Sequence, residues 1–288
     1  MQYGTLYAYW TSEWRGDFLY YAKKVAGLGF DILEISAGNL LEMSDREILQ
    51  LRTTAKDLGL AISSNIGPPK DKDVASKDSE IRKRGIQFLS DIMIRMDKLD
   101  SRVLVGVINT YWPSDFDDID KDGLWGRGVE SVKQLSKLAQ SLGIDYCIEA
   151  VNRFESSVIN TSKEGVRFCS DVDSGSVKLL LDTFHMNIEE DNIVDAIHHA
   201  GHYLGHFHVG EGNRKVPGQG HLPWAEIGKA LRDISYDKGV IMEPFIHSGG
   251  QVGKDIKVWR ELREGITLDQ MDDEIKTSLQ LLKHNFEI

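Results

Sequence analysis

Short apolar runs recur along the chain at intervals of roughly 30 residues, and each is followed by a stretch with helical spacing. The runs fall at 3–9, 30–35 (FDILEI), 60–66 (LAISSNI), 101–107 (SRVLVGV), 144–149, 177–182, 204–208 and 239–243, which predicts eight strands. Between them, Phe18, Tyr21, Ala22 and Val25 form the apolar stripe of a helix that Gly27 and Gly29 stop. Ser44 stands as N-cap before Asp45 and Glu47, and Gly59 closes that second helix. Further helices are predicted at about 79–99, 129–142, 162–170, 193–199, 224–234 and 268–286. Strict alternation of strand and helix favours a parallel sheet with helical crossovers, and eight units favour closure into a (β/α)8 TIM barrel spanning residues 1–288 as one domain. No G-x-G-x-x-G follows a predicted strand, so a dinucleotide-binding fold is the weaker reading.

Composition narrows the class. The 288 residues are 41% hydrophobic and 27% charged, as in soluble globular proteins, and no apolar stretch reaches the ~20 residues of a membrane span. Residues 1–20 lack the basic and apolar regions of a secretory signal, so cytoplasmic residence is the expectation. Cys147 and Cys169 form no CxxC pattern and read as reduced core residues. The net charge of −11 argues against a nucleic-acid partner and for a small neutral substrate.

The chemistry-bearing residues stand at strand ends. CIEAVNRFE brings Glu149, LLLDTFHMNIEED brings Asp182 and, in the turn beyond it, His185, LGHFHVGEGNR brings His208, and GVIMEPF brings Glu243. In a parallel barrel the C-terminal strand tips form the catalytic face. Any one of these side chains is ordinarily a helix cap or a surface group; four on consecutive tips point to one divalent ion. Carboxylates and an imidazole without thiolate suit manganese, cobalt or magnesium, with zinc also compatible. A six-coordinate ion with four protein ligands leaves two places, which a vicinal hydroxy-ketone fills, and its charge would stabilise the enediolate formed by deprotonation. Two glutamates reaching the ligand from different sides suit an epimerase; a single base would suit aldose–ketose isomerisation better. Glu155, His185 and Arg214 lie just past the tips and could bond hydroxyls, their ordinary alternative being loop salt bridges. The stretch 109–127 reads as a long loop with Trp112, Trp125 and five aspartates, a lid of the kind found on active faces, although acidic runs are usually solvated surface. Trp14, Trp112 and Phe245 are core residues by default and binding walls otherwise.

Those four segments, with the N-terminal YAYW and the TYWP of the fourth loop, strongly resemble the D-tagatose 3-epimerase / D-psicose (D-allulose) 3-epimerase family over nearly the whole chain. The resemblance implies a (β/α)8 barrel that binds Mn2+ or Co2+, with Mg2+ as a further candidate, and interconverts ketohexoses such as D-fructose and D-psicose at C3. D-tagatose and D-sorbose are further substrates in this view. It implies Glu149, Asp182, His208 and Glu243 as metal ligands, Glu149 and Glu243 as the acid/base pair, and Glu155, His185 and Arg214 as hydrogen-bonding partners of the sugar. Trp14, Trp112 and Phe245 become pocket walls, and the assembly a homodimer or homotetramer. Many relatives carry an aromatic pair where this chain has Leu6-Tyr7, and the SSNIGPP and GVINTYW tips also depart from the common patterns, so these positions bear on the preferred sugar.

Two rivals belong to other classes. The endonuclease IV-like barrels share the strand-end Asp-x-x-His of Asp182 to His185, but they need histidines from early strands, and the first of the nine histidines here is His185. A non-catalytic metal-dependent sugar-binding module would keep ligands and walls without needing two bases.

Overall fold

The computed structural model describes residues 1–288 except Asp118, so one of the five aspartates of the 109–127 stretch lies outside the described residues. Eight parallel strands pair in sequence order and close: β1 (Gln2–Leu6), β2 (Ile32–Ser36), β3 (Ala61–Asn65), β4 (Val103–Gly106), β5 (Asp145–Ala150), β6 (Val177–Asp182), β7 (Leu204–Val209) and β8 (Gly239–Met242). The helices are α1 (Phe18–Gly27), α2 (Asp45–Asp57), α3 (Ser79–Leu99), α4 (Lys121–Leu142), α5 (Ser162–Val172), α6 (Thr183–Glu189), α7 (Ile193–Ala200), α8 (Trp224–Asp233), α9 (Gly250–Asp255) and α10 (Leu268–Glu287). This is the TIM-barrel architecture expected from the alternation.

Local chemistry explains most boundaries. Ser44 and Glu47 form the capping box that starts α2, and Thr267 with Gln270 does the same for α10. The first strand ends at Leu6, earlier than its apolar run, because Tyr7–Trp10 coil into a buried 3-10 turn. The long acidic connection is shorter than the sequence suggests. Asp120 accepts a hydrogen bond from the Gly123 amide and caps α4, which therefore begins at Lys121 rather than at 129. Likewise Asp182 caps α6, so His185 sits on a short helix and not in a turn. Cys147 and Cys169 are both free and buried.

The main apolar core lies between the barrel and its helices, while Val105, Cys147 and Leu180 form a small separate cluster. Side chains two apart on a strand share a face. Cys147 and Glu149, Leu180 and Asp182, and His206 and His208 are therefore matched inward pairs, apolar or polar below and ligand-type at the top. The phase of β7 depends on one residue. Leu179 pairs with Leu204 but Leu180 pairs with His206, which leaves Gly205 as an extra residue and brings His208 opposite Asp182. Without that bulge Phe207 would stand opposite Asp182. A Cβ at Gly205 would lie 2.4 Å from the Lys178 Cβ and 2.8 Å from the Cys147 Sγ, so only glycine fits.

Gly205→Ala is therefore expected to cost about 1–3 kcal/mol by overpacking, read as a lower urea midpoint. A midpoint equal to that of the parent chain would show that the bulge accommodates a side chain.

Candidate active site

The four strand-tip residues converge. Glu149 is one residue short of the end of β5, Asp182 ends β6, His208 is one short of the end of β7, and Glu243 follows β8, its amide continuing the ladder to the Val209 carbonyl at 3.0 Å. One ligand atom from each lies within 4.8 Å of the others, and all four residues are buried. Asp182 divides its oxygens between two tasks. Its Oδ1 accepts the Phe184 amide at 2.8 Å to start α6, and its Oδ2 faces the site, 3.2 Å from Arg214 Nη1 and 3.7 Å from His185 Nε2. The helix so started places His185 one turn on, over the same site.

Two of the three buried carboxylates, Glu149 and Asp182, resist ionisation. Burial, and then the neighbouring Glu243, push Glu149 well above the usual carboxylate range, and burial raises Asp182 against the pull of His185 and Arg214. Burial also acts on His208, but Glu34 and Glu243 outweigh it and raise its pKa. His208 Nδ1 lies 3.5 Å from Glu243 Oε1, and among the described residues neither ring nitrogen of His208 has a hydrogen-bond partner. Three converging acids and a histidine nitrogen left without a partner are a donor set that fits a divalent cation.

Above these four, Arg214 supplies the fixed positive charge. Its Nη1 lies 3.4 Å from Glu243 Oε2 and its Nη2 3.5 Å from Glu155 Oε1. Its guanidinium stacks 3.7 Å from the centre of the Phe184 ring. His185 is held neutral, its pKa pushed down to about 3 by burial and by Arg214. The Asn152 backbone amide donates to His185 Nδ1 at 3.2 Å, and Nε2 lies 3.4 Å from Arg214 Nη2 and 3.6 Å from Glu149 Oε1. Glu155 accepts from Trp112 Nε1 at 3.1 Å and from Asn152 Nδ2 at 3.0 Å.

Aromatic walls complete the cavity. Trp14 meets Trp112 and Phe245 edge-on, at 6.3 and 6.0 Å between ring centres, and Trp14 Nε1 donates to Asp255 of α9 at 2.8 Å. The cavity holds Glu149, Glu155, His185, Arg214 and Glu243, while Asp182 and His208 lie fully buried beneath it. Through shared walls at Trp14, Asn65 and Trp112 it continues into a chamber of about 400 Å³ that Leu6 and Ser36 also line. Leu6 is thus in place to meet a ligand. All eleven residues singled out in the sequence meet in these two adjoining spaces or directly below them.

The sequence reading passed over several neighbours. Asn65 reaches Glu243 Oε1 at 3.4 Å from β3. Glu34, on β2, lies 2.9 Å from both His206 and His208; a charged residue inside the apolar FDILEI run was the available signal. Burial opposes its ionisation, but the two histidines more than compensate and hold its carboxyl far below the usual range. Glu211 is the third. Its carboxylate accepts from the amides of Gly218, His221 and Leu222 and from Trp224 Nε1 at 2.7–3.2 Å, which ties down the loop that carries Arg214. Arg214 itself sits in the left-handed region at φ 64°, its amide bonded to the Glu211 carbonyl at 2.8 Å.

Comparison with known proteins agrees with this picture. The family model of xylose isomerase-like TIM barrels matches residues 22–266. The chain is 48% identical to a D-psicose 3-epimerase of Ruminiclostridium cellulolyticum over 288 residues, covering all of this chain and 98% of that one. It is 48% identical to a D-psicose 3-epimerase of Agrobacterium fabrum, covering 97% of each. Its structure superposes with a TM-score of 0.99, at 48% identity and over the full length of both chains, on the crystal structure of D-psicose 3-epimerase with D-tagatose from Clostridium cellulolyticum H10.

Glu211→Gln should lower stability by about 1–3 kcal/mol, because buried amide donors lose their charged acceptor. Amide hydrogen exchange at Gly218, His221 and Leu222 should accelerate. Unchanged exchange there would mean the carboxylate does not hold the loop.

Proposed function

The chain belongs to the xylose isomerase-like TIM barrel family, among the D-psicose 3-epimerases, and we propose that it interconverts ketohexoses at C3, D-fructose and D-psicose foremost, with D-tagatose and D-sorbose as further substrates. It is an epimerase acting on carbohydrates. The observation that carries this reading is the pair Glu149 and Glu243, which come from β5 and from beyond β8 to line one cavity, a ligand atom of each within 4.8 Å of the other.

In this proposal Glu149, Asp182, His208 and Glu243 hold a divalent ion, Mn2+ or Co2+, with Mg2+ as the third candidate. When bound, the ion supplies positive charge that offsets the charge developing on the ketose O2 and O3. One glutamate removes the C3 proton and leaves an enediolate; the other returns a proton to the opposite face and inverts C3. Burial and the neighbouring Glu243 raise the pKa of Glu149 and His208 lowers it; the net shift is upward, which makes the carboxylate a stronger base. Arg214, His185 and Glu155 bind sugar hydroxyls: the first donates, Glu155 accepts, and neutral His185 meets a hydroxyl through Nε2. Trp14, Trp112 and Phe245 wall the pocket and exclude water from the carbanionic centre. The outer carbons extend toward Leu6 in the adjoining chamber. The same proposal takes residues 1–288 as one catalytic domain that works as a homodimer or homotetramer in the cytoplasm. No helix among the described residues is long and apolar enough to cross a membrane.

Incubating D-fructose with the protein and Mn2+ in D2O should yield the C3 epimer with deuterium at C3. Glu149→Gln and Glu243→Gln should each lower turnover by about 10²–10⁴-fold, the range that a positioned acid or base contributes. Sugar binding without exchange would sink the epimerase, and full activity in either variant would sink the two-base pathway. Leu6→Tyr should change the ratio of kcat/KM between ketohexoses; an unchanged ratio would remove Leu6 from substrate selection.

A further inference from the structure

Glu34 is a fully buried carboxylate directly below the site that the proposed reaction does not use. It sits on β2 inside the barrel, and a charge there is costly unless every oxygen is answered. It is answered by groups from two other strands. Oε2 accepts from Ser63 Oγ on β3 at 2.8 Å and lies 2.9 Å from His206 Nε2 on β7. Oε1 accepts from Asn65 Nδ2 at 3.4 Å and lies 2.9 Å from His208 Nε2. This last contact is short but off the ring N–H axis.

Glu34, His206 and His208 also bring ligand-type atoms within 4.8 Å of one another, which raises the question of a second ion site. The distances answer it. Both Glu34 oxygens already stand at hydrogen-bond distance from the two rings, and an ion between them would have to break those contacts. The trio instead resembles the outer support of a metal-binding histidine, where a carboxylate receives one ring N–H and leaves the other nitrogen for the ion.

We propose that Glu34 is a positioning residue for the ion site: its Oε1, 2.9 Å from His208 Nε2, receives the Nε2–H once an ion is held, so that Nδ1 is the atom His208 presents toward Glu149, Asp182 and Glu243. Ser63 and His206 brace Glu34, and Asn65 ties it to Glu243 by touching both carboxylates. The inference rests on the reading of those four residues as ion ligands.

The test begins with Co2+ titration of the metal-stripped full chain, followed by ligand-field absorption. Saturable Co2+ binding by the parent chain, lost in Asp182→Asn, supports the ion site; its absence overturns both site and inference. Given that binding, Glu34→Gln should bind Co2+ about 10–100-fold more weakly with an altered ligand-field spectrum, and Glu34→Asp should recover part of the loss. A Glu34→Gln chain that melts lower but keeps the parent affinity and spectrum would show a merely structural role and overturn the inference alone. Because Glu34→Gln could fail to fold, the parent chain loaded with Zn2+ gives an independent reading by 15N NMR of its histidines, with His208→Gln for assignment. A hydrogen on His208 Nε2 supports the inference; a hydrogen on Nδ1 overturns it.

Discussion

The structure turns on the cost of gathering negative charge in a buried place. Glu149, Asp182 and Glu243 are buried within a few ångströms of one another, with Glu155 above and Glu34 below. Isolated carboxylates in such a setting would protonate or unfold the site. Nearly every polar neighbour is accordingly a donor: Arg214 against three of the acids, Asn152 and Trp112 on Glu155, Asn65 on Glu243, and Ser63 and His206 on Glu34. Arg214 does not neutralise the cluster alone. The remaining imbalance makes the cluster one that could hold a cation, and that is a property of the ring of strand tips rather than of any single loop.

Putting the acids in position is a matter of strand phase. A parallel strand shows alternate residues to the barrel axis, so a one-residue slip would turn a ligand outward. In β7 the phase is set by Gly205, whose missing side chain lets an extra residue enter beside Lys178 and Cys147. In β6 the strand ends where Asp182 begins capping α6, and the same carboxylate that starts the helix faces the site. Arg214 is placed by another device, a loop wound around the buried Glu211 carboxylate with Arg214 at a left-handed turn. Precision at the centre thus comes from strand ends, and its cationic cover from a clamped loop.

This division explains what could be read from the chain. The eight runs, their alternation with helices and the four tip residues are local features, visible as spacing and as polar residues ending apolar stretches. Glu34 left only the trace of a charge inside an apolar run, and Ser63 and His206 left none, because their meaning is a contact among β2, β3 and β7 that depends on registers the sequence does not display. The early start of α4 and the helix after Asp182 were missed for a related reason. An aspartate at a loop end serves equally as a solvated acid or as a cap, and only the amide two or three residues on tells which.

The two halves of the barrel carry different loads. The acids, His208, His185 and Arg214 come from β5 to β8 and the loops that follow them, whereas the outer chamber is lined by Leu6, Ser36, Asn65 and Trp112 from β1 to β4, closed by Asp255 of α9. Among the described residues Trp14, Asn65, Ile66, Gly67 and Trp112 face both spaces. Among the described residues Leu6 and Ser36 hydrogen-bond to none of the acids, so changes at these two leave the charge balance of the centre intact. An architecture of this kind lets the wall that meets the far end of a ligand change while the reaction stays the same. The departures at Leu6 and in the third strand tip lie on that wall, whereas the four strand-tip ligands lie in the half where a lost charge would have to be compensated by all its neighbours.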